Sequence, residues 1–332
     1  MTATTAALAR ETFATGFSTG DQGHWFHIQM GSYTTDDGVV TTRGSGGLHV
    51  AARGTNGATG EPAFSITLPQ ELAGTGIPAT NDHAKWLAYM NHFSSAGVPG
   101  FDTSADLELA GTARVGGRTF GTERHPFGGA VADPQADLRL AAFAMTTIDL
   151  ESFVVFDFLF TNRRVYAFYE RLPFGRTAVN QYAAFSYAFP VAARRDGDVH
   201  DATIAYDRRT GIARWLLDGA EVHRVADVGC LLDSREHLVL DLGGREEVVA
   251  PRQLAFGMGM FTLLDAALGS ARPLVRLSDQ LTYLSPLQGT PHLPTFVDES
   301  SRPESRLFGQ GAEMYVESYT VTYSEITERR LR

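Results

Sequence analysis

Apolar and polar residues alternate in short runs along most of this chain, and Gly, Asp, Asn and Pro separate the runs. A period of two marks half-buried strands, because successive side chains point to opposite faces of a sheet. The pattern predicts strands at His24 to Met30, Gly47 to Arg53, Ala63 to Leu68, Lys85 to Phe93, Ala105 to Val115, Leu138 to Phe160, Val165 to Arg171, Gln181 to Phe189 and Asp201 to Asp207. Further strands are expected at Ile212 to Leu217, Leu254 to Phe261 and Glu313 to Tyr323, and only Thr262 to Gly269 reads as a helix. The fold class is all-β, an antiparallel two-sheet sandwich. We read residues 1–22 as an N-terminal segment, 23–325 as a single β-sandwich domain and 326–332 as a C-terminal tail. The Pro/Ser-rich stretch from Ser285 to Arg306 reads as one long loop.

Two hairpins carry turn chemistry. Asp207 to Gly211 is a turn, and Asp218-Gly219 is a favoured two-residue type I′ turn, so three consecutive strands follow from this stretch. The other hairpin joins Leu138–Phe160 to Val165–Arg171 through Thr161 to Arg164. If Thr161 pairs with Arg164, Asp157 lies opposite Phe168. Taken as one strand, the even positions Ile148, Leu150, Val154, Phe156, Phe158 and Phe160 face the core. Asp149, Glu151 and Asp157 then share the other face with Tyr166 and Glu170, interleaved with Phe153, Val155, Leu159 and Phe168. Clustered carboxylates in partly apolar surroundings divide into proton-holding and ionised members, as general acid/base chemistry requires. A solvated strand face would show the same spacing, but here the apolar neighbours and the lack of Arg or Lys favour a groove.

These residues also resemble a known family. Thr147-Ile148-Asp149-Leu150-Glu151 is similar to the Glu-x-Asp-x-Glu catalytic strand of family 16 glycoside hydrolases, in the concanavalin A-like lectin and glucanase superfamily. Ile212 to Gly219 resembles that family's Trp-containing strand ending in Asp-Gly, and Met314 to Val321 its final strand. The resemblance implies a jelly roll, with Asp149 and Glu151 in the places of the assisting aspartate and the acid/base. Thr147 replaces the nucleophile, and a retaining mechanism needs two carboxylates about 5 Å apart. As a whole, the chain looks closer to an uncharacterised, mainly actinobacterial family with the same sandwich, through Phe156-Asp157-Phe158 followed by Tyr169-Glu170-Arg171-Leu172-Pro173. Many superfamily members hold a structural calcium through an Asp on the last strand. Glu317 stands in that place, so the resemblance leaves room for calcium, and no other cofactor is expected.

Composition narrows the partners. A hydrophobic content of 43% and a charged content of 20% across 332 residues allow a sizeable core. The net charge of -10, without a basic stripe, argues against nucleic acid and anionic membranes. The start MTATTAALARETFATGF lacks the basic and apolar blocks of a secretory signal, and no apolar run has the length of a membrane span, so a cytoplasmic location is expected. Cys230 is the single cysteine and reads as a structural thiol. His24, His27, His83, His92, His125 and His200 follow no metal-binding spacing, so no metal site is expected.

The segment NDHAKWLAYMNHF is polar and aromatic enough to line a cleft, with Trp86, Met90 and His92 on one face and His83, Tyr89 and Asn91 on the other. The expected function is an intracellular enzyme acting by acid/base chemistry on a small, partly apolar organic molecule or glycoside in a concave-face groove. A tailoring step in natural-product biosynthesis, such as cyclisation, elimination or hydrolysis, suits that compartment. Asp149 and Glu151 would transfer protons with Asp157 and Glu170 nearby, and Trp86, Tyr166, His83, His92, Asn91 and His125 would contact the substrate. The rival readings are a non-catalytic, carbohydrate-binding lectin-like module and an atypical glycoside hydrolase. Oligomeric state is left open.

Overall fold

Strands that bury one face each need a second sheet to cover it. A computed structural model describes residues 5–20, 22–30, 33–42, 46–68, 82–285 and 294–325, and in it the strands form two large antiparallel sheets. The first sheet runs in the order Ala220–Val225, Ile212–Leu217, Val199–Asp207, Leu107–Phe120, Gly311–Glu325, Leu48–Ala52 and Gly38–Thr42. The second runs Leu238–Asp241, Phe185–Ala193, Arg164–Arg171, Val154–Phe160, Ala142–Ile148, Gln253–Phe261, Ala84–Met90 and Trp25–His27. Between them lies a core that includes Trp86, Phe156, Phe158, Phe160, Trp215, Met258 and Val316. This is the expected all-β, antiparallel two-sheet sandwich. Thr5–Glu11, read as part of a separate N-terminal segment, pairs with Gly311–Glu325, so both ends of the chain enter one sheet.

The Asp218-Gly219 turn forms as its residue types dictate. Asp218 has φ 52 and Gly219 φ 81, and Leu217 pairs with Ala220 around them. A β-branched residue is strained at such angles, so Gly219→Val is expected to lower stability by about 1–2 kcal/mol. A urea titration would show the midpoint fall with its slope unchanged.

Three expectations are corrected. Thr262 to Gly269 is not a helix, because its amides bond to distant segments: Thr262 to the His83 carbonyl, Leu263 to that of Arg139 and Ala267 to that of Val239. The one α-helix among the described residues is Pro303–Arg306. Leu138 to Phe160 is two strands rather than one, Ala142–Ile148 and Val154–Phe160, joined by a turn in which the Asp149 amide bonds to the Val154 carbonyl. The strand expected at Ala63 to Leu68 is confined to Pro62–Ala63, and the strands Gly38–Thr42 and Leu238–Asp241 were not anticipated.

Every residue of Ala142–Ile148 and Val154–Phe160 is buried. The second sheet is therefore covered on both faces, which explains the near-continuous apolar run there. Its inner face meets the first sheet, and its outer face is roofed by loops that leave a groove.

Candidate functional site

The groove begins with the hairpin of Val154–Phe160 and Arg164–Arg171. The Thr161 amide bonds to the Arg164 carbonyl at 3.0 Å, Phe158 lies opposite Ala167 and Asp157 opposite Phe168, the register expected from the turn. Val165, Ala167 and Tyr169 consequently enter the core, while Tyr166 and Phe168 pack on the outer face and Glu170 lines the groove there. Glu170 is opposite Val155, making it a diagonal neighbour of Asp157. Such neighbours stand about 7–8 Å apart.

Around these two acids is a cavity of about 990 Å³. Leu87, Ile148, Val155, Leu159, Phe168 and Phe261 supply an apolar floor, and Ile28, Leu172, Phe174, Leu242, Leu281 and Leu284 supply apolar walls. Tyr89 lies across the floor because Gly257 beside it has no side chain. A Cβ there would come within 2.6 Å of the Tyr89 ring and 2.3 Å of the Ala88 carbonyl oxygen.

The acids are held by neutral partners. The ladder is interrupted between Met145 and Ile148, and the Thr147 amide donates instead to Asp157 Oδ1 at 2.7 Å. From the opposite sheet, Trp215 Nε1 donates to the Asp157 main-chain carbonyl at 2.8 Å. Glu170 Oε1 accepts from the Ser186 hydroxyl. Among the described residues neither carboxyl has a Lys or Arg in salt-bridge contact. Burial disfavours the ionised forms, so it pushes Asp157 well above the ordinary carboxylate range and Glu170 up to about 7. The Thr147 and Ser186 hydrogen bonds only partly oppose this.

A second polar group reaches the groove from loops. His83 Nε2 lies 2.6 Å from Asp265 Oδ1, and the Tyr283 hydroxyl donates to Asp265 Oδ2 at 2.9 Å. Burial works against the imidazolium, but the Asp265 carboxylate outweighs it and raises the His83 pKa. Asp265 thereby orients an imidazole whose edge lines the groove. A buried acid, a half-buried acid and an oriented imidazole beside one apolar cavity can donate and accept protons on a bound molecule.

The other anticipated residues lie elsewhere. Asp149 and Glu151 are in the turn between the two strands, facing a shallower depression with Arg171 and Arg252. Asp149 is buried and accepts from the Glu151 and Ser152 amides, the Ser152 hydroxyl and Gln253 Nε2, which makes it a turn-stabilising residue. Glu151 is ion-paired with Arg252 at 2.5 Å, and this bond with that of Gln253 holds its carboxyl below the ordinary range. The strand parity assumed across this turn fails, because Ile148 pairs with Val155 and both therefore face the groove. The motif positions Thr147, Asp149 and Glu151 thus fall outside the groove, where the lining positions of the next strand read Val155, Asp157 and Leu159.

Trp86 faces the core, edge-on to His27, and touches no part of the groove. Asn91 donates to the Gly23 carbonyl, while His92 bonds to the Gly100 carbonyl and stacks on Phe101 at 4.0 Å. His125 accepts from the Phe127 amide in a loop, and burial lowers its pKa. Tyr166 shares the outer face, but its hydroxyl is bonded to the Ala136 carbonyl. Arg171 is turned away from Glu170 toward the Gly229 and Glu247 carbonyls. Burial raises the pKa of the Cys230 thiol, disfavouring a thiolate nucleophile. Glu317, the residue in the calcium position, is ion-paired with Arg114 at 2.7 Å, and no cluster of three or more metal-ligating side chains occurs among the described residues. Asp265 and Tyr283 escaped the sequence reading because one lies in the misread helix and the other in a loop.

Solved structures similar to this chain include an endo-1,3-beta-glucanase from Streptomyces sioyaensis, at 12% identity and a TM-score of 0.45 over 97% of each chain. Another is the catalytic domain of an endo-1,3-beta-glucanase from Thermotoga petrophila, at 12% identity and a TM-score of 0.45 over 98% of this chain and 100% of that one. An uncharacterized protein of Acanthamoeba polyphaga mimivirus, L829, is 27% identical, and the match spans 61% of this chain and 60% of the viral protein. A family profile matches residues 10–325, nearly the whole length described above, and by that match the chain belongs to DUF6081, a family of unknown function.

Proposed function

We propose that this protein is an enzyme that moves protons on a small, predominantly apolar organic molecule held in the outer-face groove. The observation that carries the reading is the pair Asp157, buried, and Glu170, half-buried, two carboxyl groups on adjacent strands without ion-pair partners among the described residues. Asp157, whose burial favours the neutral carboxyl, is the proton donor. Glu170, with a pKa of about 7, is the proton acceptor, and His83 backed by Asp265 assists. Cyclisation, elimination and hydrolysis all use such a pair.

The lining selects the molecule. Trp25, Trp86 and Trp215 are all buried between the sheets, so no indole platform for a sugar ring reaches the groove. Aliphatic and phenyl side chains line it instead, and they favour an apolar body over a polyhydroxylated one.

A metabolite screen for binding, followed by turnover assays on the compound retained, tests this. Asp157→Asn and Glu170→Gln are each expected to reduce turnover by roughly 10²–10⁴-fold while affinity changes little. Rate should rise with pH as Glu170 ionises near pH 7. A parent protein that binds its compound and never converts it would be a binding module, and the enzymatic reading would be lost.

A further inference from the structure

Among the described residues lining the groove, Arg176 is the one cation, if His83 is set aside as titratable. It is half-buried, and its described bonds all go to main-chain carbonyls: Nε to Tyr182 at 2.8 Å, Nη1 to Leu242 at 3.1 Å and Nη2 to Gly243. Asp241, the carboxylate whose field acts on it, is occupied by Arg235 at 2.9 Å and by the Gly243 amide at 2.9 Å. Carbonyl dipoles fix a guanidinium in place but leave its charge uncompensated. Holding a partly desolvated cation without a counter-ion is unfavourable, and an anion that completes the pair recovers that free energy. A guanidinium has five N–H donors in a planar fork, so these three bonds leave donors free for a planar anion. The Tyr182 ring adds rigidity, with the Arg171 guanidinium 4.0 Å and that of Arg176 5.8 Å from its centroid.

We infer that the substrate is an amphipathic carboxylic acid whose apolar body lies on the floor of the groove and whose carboxylate binds Arg176. The inference rests on the proposed function above, since it assumes that the groove is the binding site. The polar ends of the groove then have separate tasks: Arg176 holds the head group, and Asp157 and Glu170 act on the body.

The test uses a matched pair of fluorescent probes, 11-(dansylamino)undecanoic acid and its methyl ester, which differ in charge but share body and fluorophore. The parent protein is expected to bind the acid about tenfold more tightly than the ester, the scale of one charge-assisted bidentate contact. Arg176→Gln should bring the acid down to the affinity of the ester and leave the ester unchanged, and that unchanged ester binding also verifies that the variant is folded. Arg176→Lys should retain part of the preference. Leu87→Trp, which fills the floor, should weaken both probes. Equal binding of acid and ester by the parent, with both weakened by Leu87→Trp, overturns the head-group assignment and leaves the groove reading intact. Failure of both probes to bind, or binding that Leu87→Trp does not alter, overturns the groove reading together with it.

Discussion

Replacing Asp82 with asparagine is expected to destabilise the fold by about 3–5 kcal/mol, the usual cost of removing one partner from a buried ion pair. Lys85 is 0% exposed and Asp82 2%, with Nζ and Oδ1 2.7 Å apart. The Asp82 carboxylate also accepts from the Leu68 amide at 2.8 Å and the Thr67 hydroxyl at 2.7 Å, and Arg306 Nε stands 3.6 Å away. An asparagine could keep some of these hydrogen bonds but would leave two buried cations without their anion. Chemical denaturation at constant pH should show a lowered midpoint and an unchanged slope. Combining Asp82→Asn with Lys85→Met should destabilise by less than the sum of the single changes, and strict additivity would show that the pair is not coupled. The effect bears on function because Asp82 immediately precedes His83, the imidazole of the groove.

Glu170→Gln should have the opposite sign at neutral pH. In the unfolded chain this carboxyl titrates near its ordinary value of 4.5, whereas burial in the folded protein raises it to about 7. Between those values the folded state holds more protons than the unfolded state, so this group's contribution to stability falls as pH rises. It is fully present below about pH 4.5 and lost once pH has passed through about 7. A shift of this size corresponds to roughly 3 kcal/mol. Glutamine mimics the neutral acid and can still accept from Ser186. The stability difference between variant and parent should therefore move in favour of the variant by that amount between pH 4.5 and pH 8. A difference independent of pH would mean that Glu170 ionises normally in the folded protein. The same comparison indicates what the site gives up, since a carboxyl poised as a base near pH 7 is bought with stability.

That Asp157 and Glu170 share a face was legible in the sequence because its determinants are local. A turn at Thr161 to Arg164 and a period of two suffice to set Asp157 opposite Phe168 and to bring Glu170 to the same face. The error at Asp149 and Glu151 is also local in origin. Parity survives along a strand but not through a turn, and the chain reverses at 149–153, where Phe153 adopts φ 59. At Trp86 the difficulty was different. Alternation correctly separates Trp86 and Met90 from Tyr89, but every residue of Ala84–Met90 is buried, and pattern alone does not say which face meets the other sheet.

By itself, then, the sequence determined the all-β class, the Asp218-Gly219 and Thr161–Arg164 turns, and the register that places Asp157 beside Glu170. Each depends on hydrogen bonds and side-chain alternation between residues close in the chain. Only the tertiary structure decided that both faces of the second sheet are covered, that His83 meets Asp265 and Tyr283, and that Arg176 enters the groove bonded to carbonyls alone. Those contacts join residues far apart in the chain, and their chemistry depends on burial. The desolvation that raises Asp157 and Glu170 exists only once the loops have closed over the outer face, so the groove inferred from the acids became definite through the apolar walls around them.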